Sequence, residues 1–182
     1  MESPGTGSVV VAVDRRGQKA QVPLGKRLAS PGGEGTVFKA DLARGQSLAV
    51  KIFLENKRPK KYEKVRAMLQ MDPEPGARER CIAWPSAIVH DGKQFVGYAM
   101  PYVQGQQLLG AANPKLRIRD HPGLDLFSMH VLAERLAKAF SKLHKVGHVV
   151  GDLKDTNALF DPDTLRVFLI DTDSFGITDN NG

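Results

Sequence analysis

Gly151-Asp152-Leu153-Lys154-Asp155-Thr156-Asn157, followed after a short interval by Leu169-Ile170-Asp171-Thr172-Asp173, is the stretch on which the reading of this chain turns. An isolated Asp-Leu-Lys or a loop asparagine means little. Their combined order, after a long amphipathic run and ahead of an apolar strand that ends in aspartate, is hard to obtain from structural needs alone. Phosphoryl transfer needs a carboxylate to orient the acceptor hydroxyl, a cation on the moving phosphate and hard oxygen ligands for magnesium. Asp152 supplies the first, Lys154 the second, and Asn157 with Asp171 the third.

Working outward, Leu126 to Lys145 places Leu132, Leu136, Phe140 and Leu143 on one helical face, and Gly147 follows as a C-cap. Val149-Val150, Leu159-Phe160 and Val167 to Ile170 are short apolar segments around Asp161-Pro162-Asp163, a loop and hairpin against that helix. The N-terminal half has strand periodicity instead. Val9 to Val13 turns through Asp14-Arg15-Arg16-Gly17 into Lys19 to Leu28, which is interrupted at Pro23 and Gly25. Thr36 to Ala40 and Leu48 to Phe53 follow as strands, and Ala87 to Val89 pairs with Phe95 to Tyr98 across a turn containing Asp91-Gly92. One helix intervenes: from Pro59, residues Tyr62, Val65, Met68 and Leu69 recur at helical spacing until Asp72-Pro73-Glu74-Pro75-Gly76 stops it.

Two further features acquire meaning from this order. Gly32, Gly33 and Gly35 form a glycine-rich loop between two strands, where backbone N–H groups can approach phosphate oxygens without side-chain obstruction. Lys51 ends Leu48-Ala49-Val50-Lys51, one strand beyond that loop. Glu63, the only acidic residue in the helical run, is the expected ion-pair partner of its ammonium.

With these residues in place the sequence resembles the protein-kinase superfamily from about Lys26 to Phe175. Ala83-Trp84-Pro85, Val96-Gly97-Tyr98-Ala99-Met100-Pro101, Val149-Val150-Gly151-Asp152 and Ile170-Asp171-Thr172-Asp173-Ser174-Phe175 look like a bacterial Ser/Thr kinase-like group often fused to helix-hairpin-helix segments. The resemblance implies an α+β, bilobal fold: a flexible leader over residues 1–8, an antiparallel β N-lobe with one helix over 9–103, and a mainly helical C-lobe over 104–182, incomplete at Gly182. It further implies ATP between the lobes, with Val37, Ala49 and Leu159 around adenine, Met100 at the back of the pocket and the Pro101–Val103 backbone at the hinge. The implied activity is ATP- and Mg2+-dependent transfer to Ser/Thr hydroxyls of a protein substrate. Asp152, Lys154, Lys51 and Glu63 are then catalytic, and Asn157 and Asp171 hold metal.

The sequence departs from the family pattern at several points. Val150-Gly151 stands where His-Arg precedes the catalytic aspartate, Thr172-Asp173 replaces Phe-Gly, and Ser30 occupies the first glycine position. Ile170-Asp171-Thr172-Asp173 also resembles small-molecule kinases of the same fold, although those carry His where Lys154 stands. A pseudokinase or nucleotide-binding scaffold is the non-enzymatic alternative.

Composition narrows the setting. With 41% hydrophobic and 25% charged residues, the 182-residue chain is of the folding, water-compatible kind. Its one cysteine, Cys81, excludes an intramolecular disulfide framework. Neither a signal-like start nor a membrane-length apolar run occurs, so a cytoplasmic setting is expected. The net charge of +6 points only weakly to nucleic acid, because the basic clusters at Lys57 to Lys61 and Lys115 to Arg119 lack interleaved aromatics. Nothing in the sequence sets an oligomeric state.

Overall fold

Period-two apolar patterning through the first hundred residues produces one antiparallel sheet. The computed structural model describes residues 3–29 and 32–178, so Ser30, the ends of the chain and the glycine position that Ser30 occupies lie outside the described residues. The chain divides into two compact units, residues 1–72 with 84–102 and residues 73–83 with 103–182.

In the first unit, strands β1 (Val9–Asp14), β2 (Lys19–Pro23), β3 (Gly35–Asp41), β4 (Ser47–Phe53), β5 (Ala87–Asp91) and β6 (Gln94–Pro101) form a sheet in the order β2-β1-β5-β6-β4-β3. Alternation along β4 sends Val50 and Ile52 into a core with Val10, Val22, Phe38 and Val89. Ala49, Lys51 and Phe53 therefore take the opposite face. There the helix α1 (Arg58–Gln70) begins with proline in its first turn and buries Val65, Met68 and Leu69. Its last turn is fastened by Trp84, 1% exposed, whose indole Nε1–H donates to the Met68 carbonyl at 2.7 Å. Residues 3–8 do not form a free leader, since Gly7 N–H donates to Leu24 O and Leu24 N–H to Ser8 O, both at 2.8 Å.

Gly35 shows why the chain needs glycine at the start of β3. A Cβ built there would lie 2.2 Å from the Ile52 carbonyl oxygen, so the close β3–β4 approach admits no side chain.

The second unit is built on α4 (Leu126–Lys145), whose buried face carries Leu132, Ala139 and Leu143. Asp125 caps its start by accepting from Ser128 N at 2.8 Å, and Gly147, at φ 80°, follows its end. A small sheet joins β7 (Gln106–Gln107), β8 (Ala158–Phe160) and β9 (Val167–Leu169). Two short helices, α2 (Leu108–Ala112) and α3 (Pro114–Asp120), precede α4 and carry no long apolar period to announce them.

Residues 73–83, read from sequence as part of the first lobe, group with the second unit. Leu169 N donates to Cys81 O and Ala83 N to Leu169 O, each at 2.8 Å, so this segment runs beside β9. Glu74, buried to 4% exposure, accepts from Cys81 N at 3.0 Å, Ile82 N at 3.0 Å and Lys142 Nζ at 2.6 Å. One carboxylate thus ties the segment's own turn to α4. The Cys81 thiol also donates to Glu74 at 3.1 Å. Burial, then the Glu74 hydrogen bond and charge, push its pKa from 9.0 up to about 11.

Candidate phosphoryl-transfer site

The chemistry-bearing residues fall into two groups, one on each unit. In the second unit, β8 and β9 form a hairpin whose ends place the two magnesium candidates near each other in the backbone. Ile170 N donates to Asn157 O at 2.9 Å, which sets Asn157 beside the residue preceding Asp171. The Asn157 amide Nδ2 donates to Asp152 O at 3.1 Å, so the same side chain also pins the loop that carries Asp152. With Nδ2 engaged, Asn157 Oδ1 is the atom left to act as a hard ligand. Lys154 Nζ lies 2.7 Å from Asp152 Oδ2. Its ammonium is held above the ordinary lysine value, first by the hydrogen bond to Asp152 and then by that residue's charge, with Asp171 contributing less.

Asp171 occupies the left-handed region at φ 59° and ψ 40°, which aspartate tolerates better than most residues but which carries a backbone cost. The turn after it maintains this conformation: Ser174 Oγ donates to Asp171 O at 2.9 Å, and the buried Thr172 Oγ1 donates to Ala83 O at 3.0 Å. Asp173 is 0% exposed in that turn, an environment suited to a structural residue. Gly151 is equally constrained. A Cβ there would meet Ser174 O at 2.6 Å, so the backbone that positions the Asp171 turn leaves no room for the arginine of the family pattern.

The donor set fits magnesium as it is bound in nucleotide sites. Among the described residues no group of three or more His, Cys, Asp or Glu could hold a metal ion. Asn157 and Asp171 are of the hard-oxygen type from which Mg2+ takes its few protein ligands when phosphates and water complete its octahedron.

In the first unit, Gly32 N donates to Gly35 O at 3.0 Å and closes the glycine loop, while Leu54 N donates to Glu34 O at 3.0 Å and anchors it to the end of β4. Lys51 pairs in register with Val37 on β3 and Tyr98 on β6. Ala49 lies opposite Met100, both 5% exposed, and Pro101 ends β6. Val103 and Leu159, placed by sequence around the same nucleotide, belong to the second unit and are half-buried.

Glu63 is a correction. Its side chain is 73% exposed and lies 3.5 Å from Arg66. Val65, Met68 and Leu69 define the inward face of α1, and Glu63 stands two residues before Val65, on the far side of the helix. A carboxylate that does lie near Lys51 is Glu34, at 3.7 Å, which also lies 2.8 Å from Lys61. Sequence reading passed over both. The signal was present, because Lys61 is one helical turn before Val65 and therefore shares its face.

No protein-family profile matches the sequence. The chain is 30% identical over 160 residues to the protein kinase YegI of Escherichia coli strain K12, an alignment covering 86% of this chain and 24% of that protein. It is 33% identical over 102 residues to the protein kinase YegI of Escherichia coli O157:H7, covering 54% of this chain and 16% of that one. The chain therefore spans about a quarter of the length of the first curated relative. Among solved structures, a rhoptry kinase from Toxoplasma gondii superposes with a TM-score of 0.64 at 17% identity, over 94% of this chain and 51% of that one. The sequence similarity, and a fold shared over nearly all of its length, relate this chain to the protein-kinase superfamily.

Proposed function

We propose that this chain carries the nucleotide-binding and catalytic portion of an ATP- and Mg2+-dependent protein kinase acting on Ser/Thr hydroxyls. The observation that carries the reading is the second-unit constellation, in which Lys154 is bonded to Asp152 and Asn157 is hydrogen-bonded both to the Asp152 loop and to the residue preceding Asp171. Asp152 orients the acceptor hydroxyl and takes its proton as the oxygen bonds to the γ-phosphorus and the bond to the ADP oxygen breaks. Lys154 and Lys51 stabilise the charge spread over the transferring phosphoryl group. Asn157 and Asp171 would hold Mg2+, which neutralises phosphate charge when bound.

The small-molecule alternative rests on the resemblance of Ile170-Asp171-Thr172-Asp173 to such kinases; Lys154, where those carry His, weighs against it, and the complete burial of Asp173 suits a turn residue. Protein substrates follow from the kinase reading, as does a cytoplasmic setting where ATP is plentiful. No helix among the described residues is long and apolar enough to cross a membrane.

The test is a thermal melt of the protein with and without Mg-ATP, coupled to transfer of the γ-phosphate from labelled ATP to a generic acceptor protein. Binding to the folded state raises the melting temperature by mass action. No shift at millimolar Mg-ATP in a well-folded sample, or a shift without transfer in the full-length protein, would overturn the reading.

A further inference from the structure

In protein kinases the strand lysine is held by a glutamate from the helix that follows it. Here the inward face of that helix carries Lys61 instead, with its side chain 14% exposed, and Glu63 faces solvent. We infer that Glu34, in the glycine-rich loop, is the positioning residue for Lys51, and that Lys61 is the anchor that holds Glu34 in place. The inference rests on the kinase reading of the site.

The geometry supplies each part. Lys51 is a nearly buried ammonium, its side chain 5% exposed, and such a charge is tolerated only with a nearby carboxylate. Glu34 Oε2 lies 3.7 Å from Lys51 Nζ and 2.8 Å from Lys61 Nζ. Both ammonium groups also lie over the buried Phe53 ring, 5.5 Å and 5.6 Å from its centroid, so one aromatic floor sets the height of the pair. The Glu34 backbone is restrained on both sides of its carboxylate, by the Leu54 hydrogen bond and by the side-chain-free approach of Gly35 to Ile52. The carboxylate that a kinase ordinarily carries on its helix has moved to the loop, and the helix position has changed sign to receive it.

A consequence is that the carboxylate aligning Lys51 is carried by the glycine loop, and the helix acts on it through Lys61 rather than through Glu63. Glu34→Gln should lower kcat about 10²-fold while changing the KM for ATP little, the scale expected when a catalytic group is misplaced by an ångström. Glu63→Gln should leave kcat unchanged. The decisive variant is the exchange Glu34→Lys with Lys61→Glu, which returns the carboxylate to the helix; it should recover activity that either single change removes. A nucleotide-free readout accompanies the kinetics, a double-mutant cycle of melting temperatures for Glu34→Gln and Lys51→Met. The shifts should be non-additive, whereas those of Glu63→Gln and Lys51→Met should add. Additive behaviour of Glu34 with Lys51, unchanged kcat in Glu34→Gln, or loss of kcat in Glu63→Gln would overturn the inference. A coupled cycle in a wild-type protein that transfers no phosphate would instead overturn the kinase reading and leave the ion pair standing.

Discussion

Lys51 and Lys154 are both cations suited to a phosphate, and the protein holds them in opposite ways. Lys51 lies on β4, flanked by strands on both sides, with its side chain 5% exposed. Lys154 lies on an irregular loop, with its side chain 60% exposed and 2.7 Å from Asp152. In the first unit the Lys51 charge is part of the folded interior, so a counter-charge is a condition of folding and, on the proposed function, of chemistry as well. In the second unit Lys154 is exposed and Asp152, Asn157 and Asp171 are half-buried, and hydrogen bonds to the backbone beneath them carry the order: Asn157 to Asp152, Ile170 to Asn157, Ser174 to Asp171. Substitutions should therefore separate function from stability in the second unit and confound them in the first.

The largest separation is expected at Asp152. Asp152→Asn keeps the side-chain volume and leaves the Asn157 hydrogen bond to the Asp152 carbonyl intact, but it removes the proposed base. Phosphoryl transfer should fall about 10²–10⁴-fold, while the melting temperature and its increase with Mg-ATP are retained. Initial rates on a generic acceptor, together with melts of the same samples, check this. A rate equal to wild type would remove Asp152 from the mechanism.

Trp84 is the opposite case, a residue sunk in the packing of the first unit. Its ring is 1% exposed and its N–H is satisfied by Met68 O. Trp84→Ala opens a cavity and removes that bond, and about 3–5 kcal/mol should be lost in urea unfolding. Leu153→Ala, next to Asp152 but 62% exposed, should stay within about 0.5 kcal/mol of wild type. Similar losses at the two sites would erase the contrast between the units.

How much of this was legible in the sequence follows the same division. The strands of the first unit announced themselves through β-branched alternation, and α1 and α4 through apolar spacing, because those periodicities are what burial selects. Asp152, Asn157 and Asp171 were picked out by their order along the chain, and in the structure Asn157 is hydrogen-bonded to the Asp152 carbonyl and to Ile170, the residue before Asp171. Short elements escaped: α2 and α3 bury little, with Ala111 the one buried residue between them, and so leave no period to read. Glu63 was misread because acidity was used to choose it and helical phase was not. The Pro73–Ala83 excursion into the second unit depends on a buried carboxylate, Glu74, meeting Lys142 from 68 residues away, a pairing that local patterns do not encode.

That carboxylate sets the next prediction. A rise in the Cys81 pKa from 9.0 to about 11 leaves about 10²-fold less thiolate at pH 8, so alkylation of the folded protein should be slower than that of a free thiol by about that factor. Glu74→Gln should speed it. The sign for stability follows from the raised value: below pH 9 the contribution is fully present, and it is lost as pH rises from 9 through about 11. Lys142, also raised by its hydrogen bond to Glu74, acts in the same direction at higher pH. Melting temperatures measured between pH 7 and 11 should therefore decline above pH 9 more steeply in wild type than in Cys81→Ala. Equal slopes, or alkylation at the rate of a free thiol, would show that Glu74 does not hold this thiol in its protonated form.

The smallest effect is expected where the comparison began. Lys154→Ala removes one partner of an exposed pair, in which solvent screens the attraction and the long lysine chain loses entropy on being held. Its melting temperature should match wild type at low and at high salt, although phosphoryl transfer falls because a cation has left the transferring group. Lys51→Met should do the reverse in emphasis. It leaves Glu34 with one fewer cation beside it and removes an ammonium from above the Phe53 ring, so the melting temperature falls even without nucleotide. The pair of melts, each at two salt concentrations, is the measurement. A Lys154→Ala shift as large as that of Lys51→Met would mean that the Lys154–Asp152 bond holds the loop together, and that in this protein exposure does not divide the groups that fold the chain from those that act on phosphate.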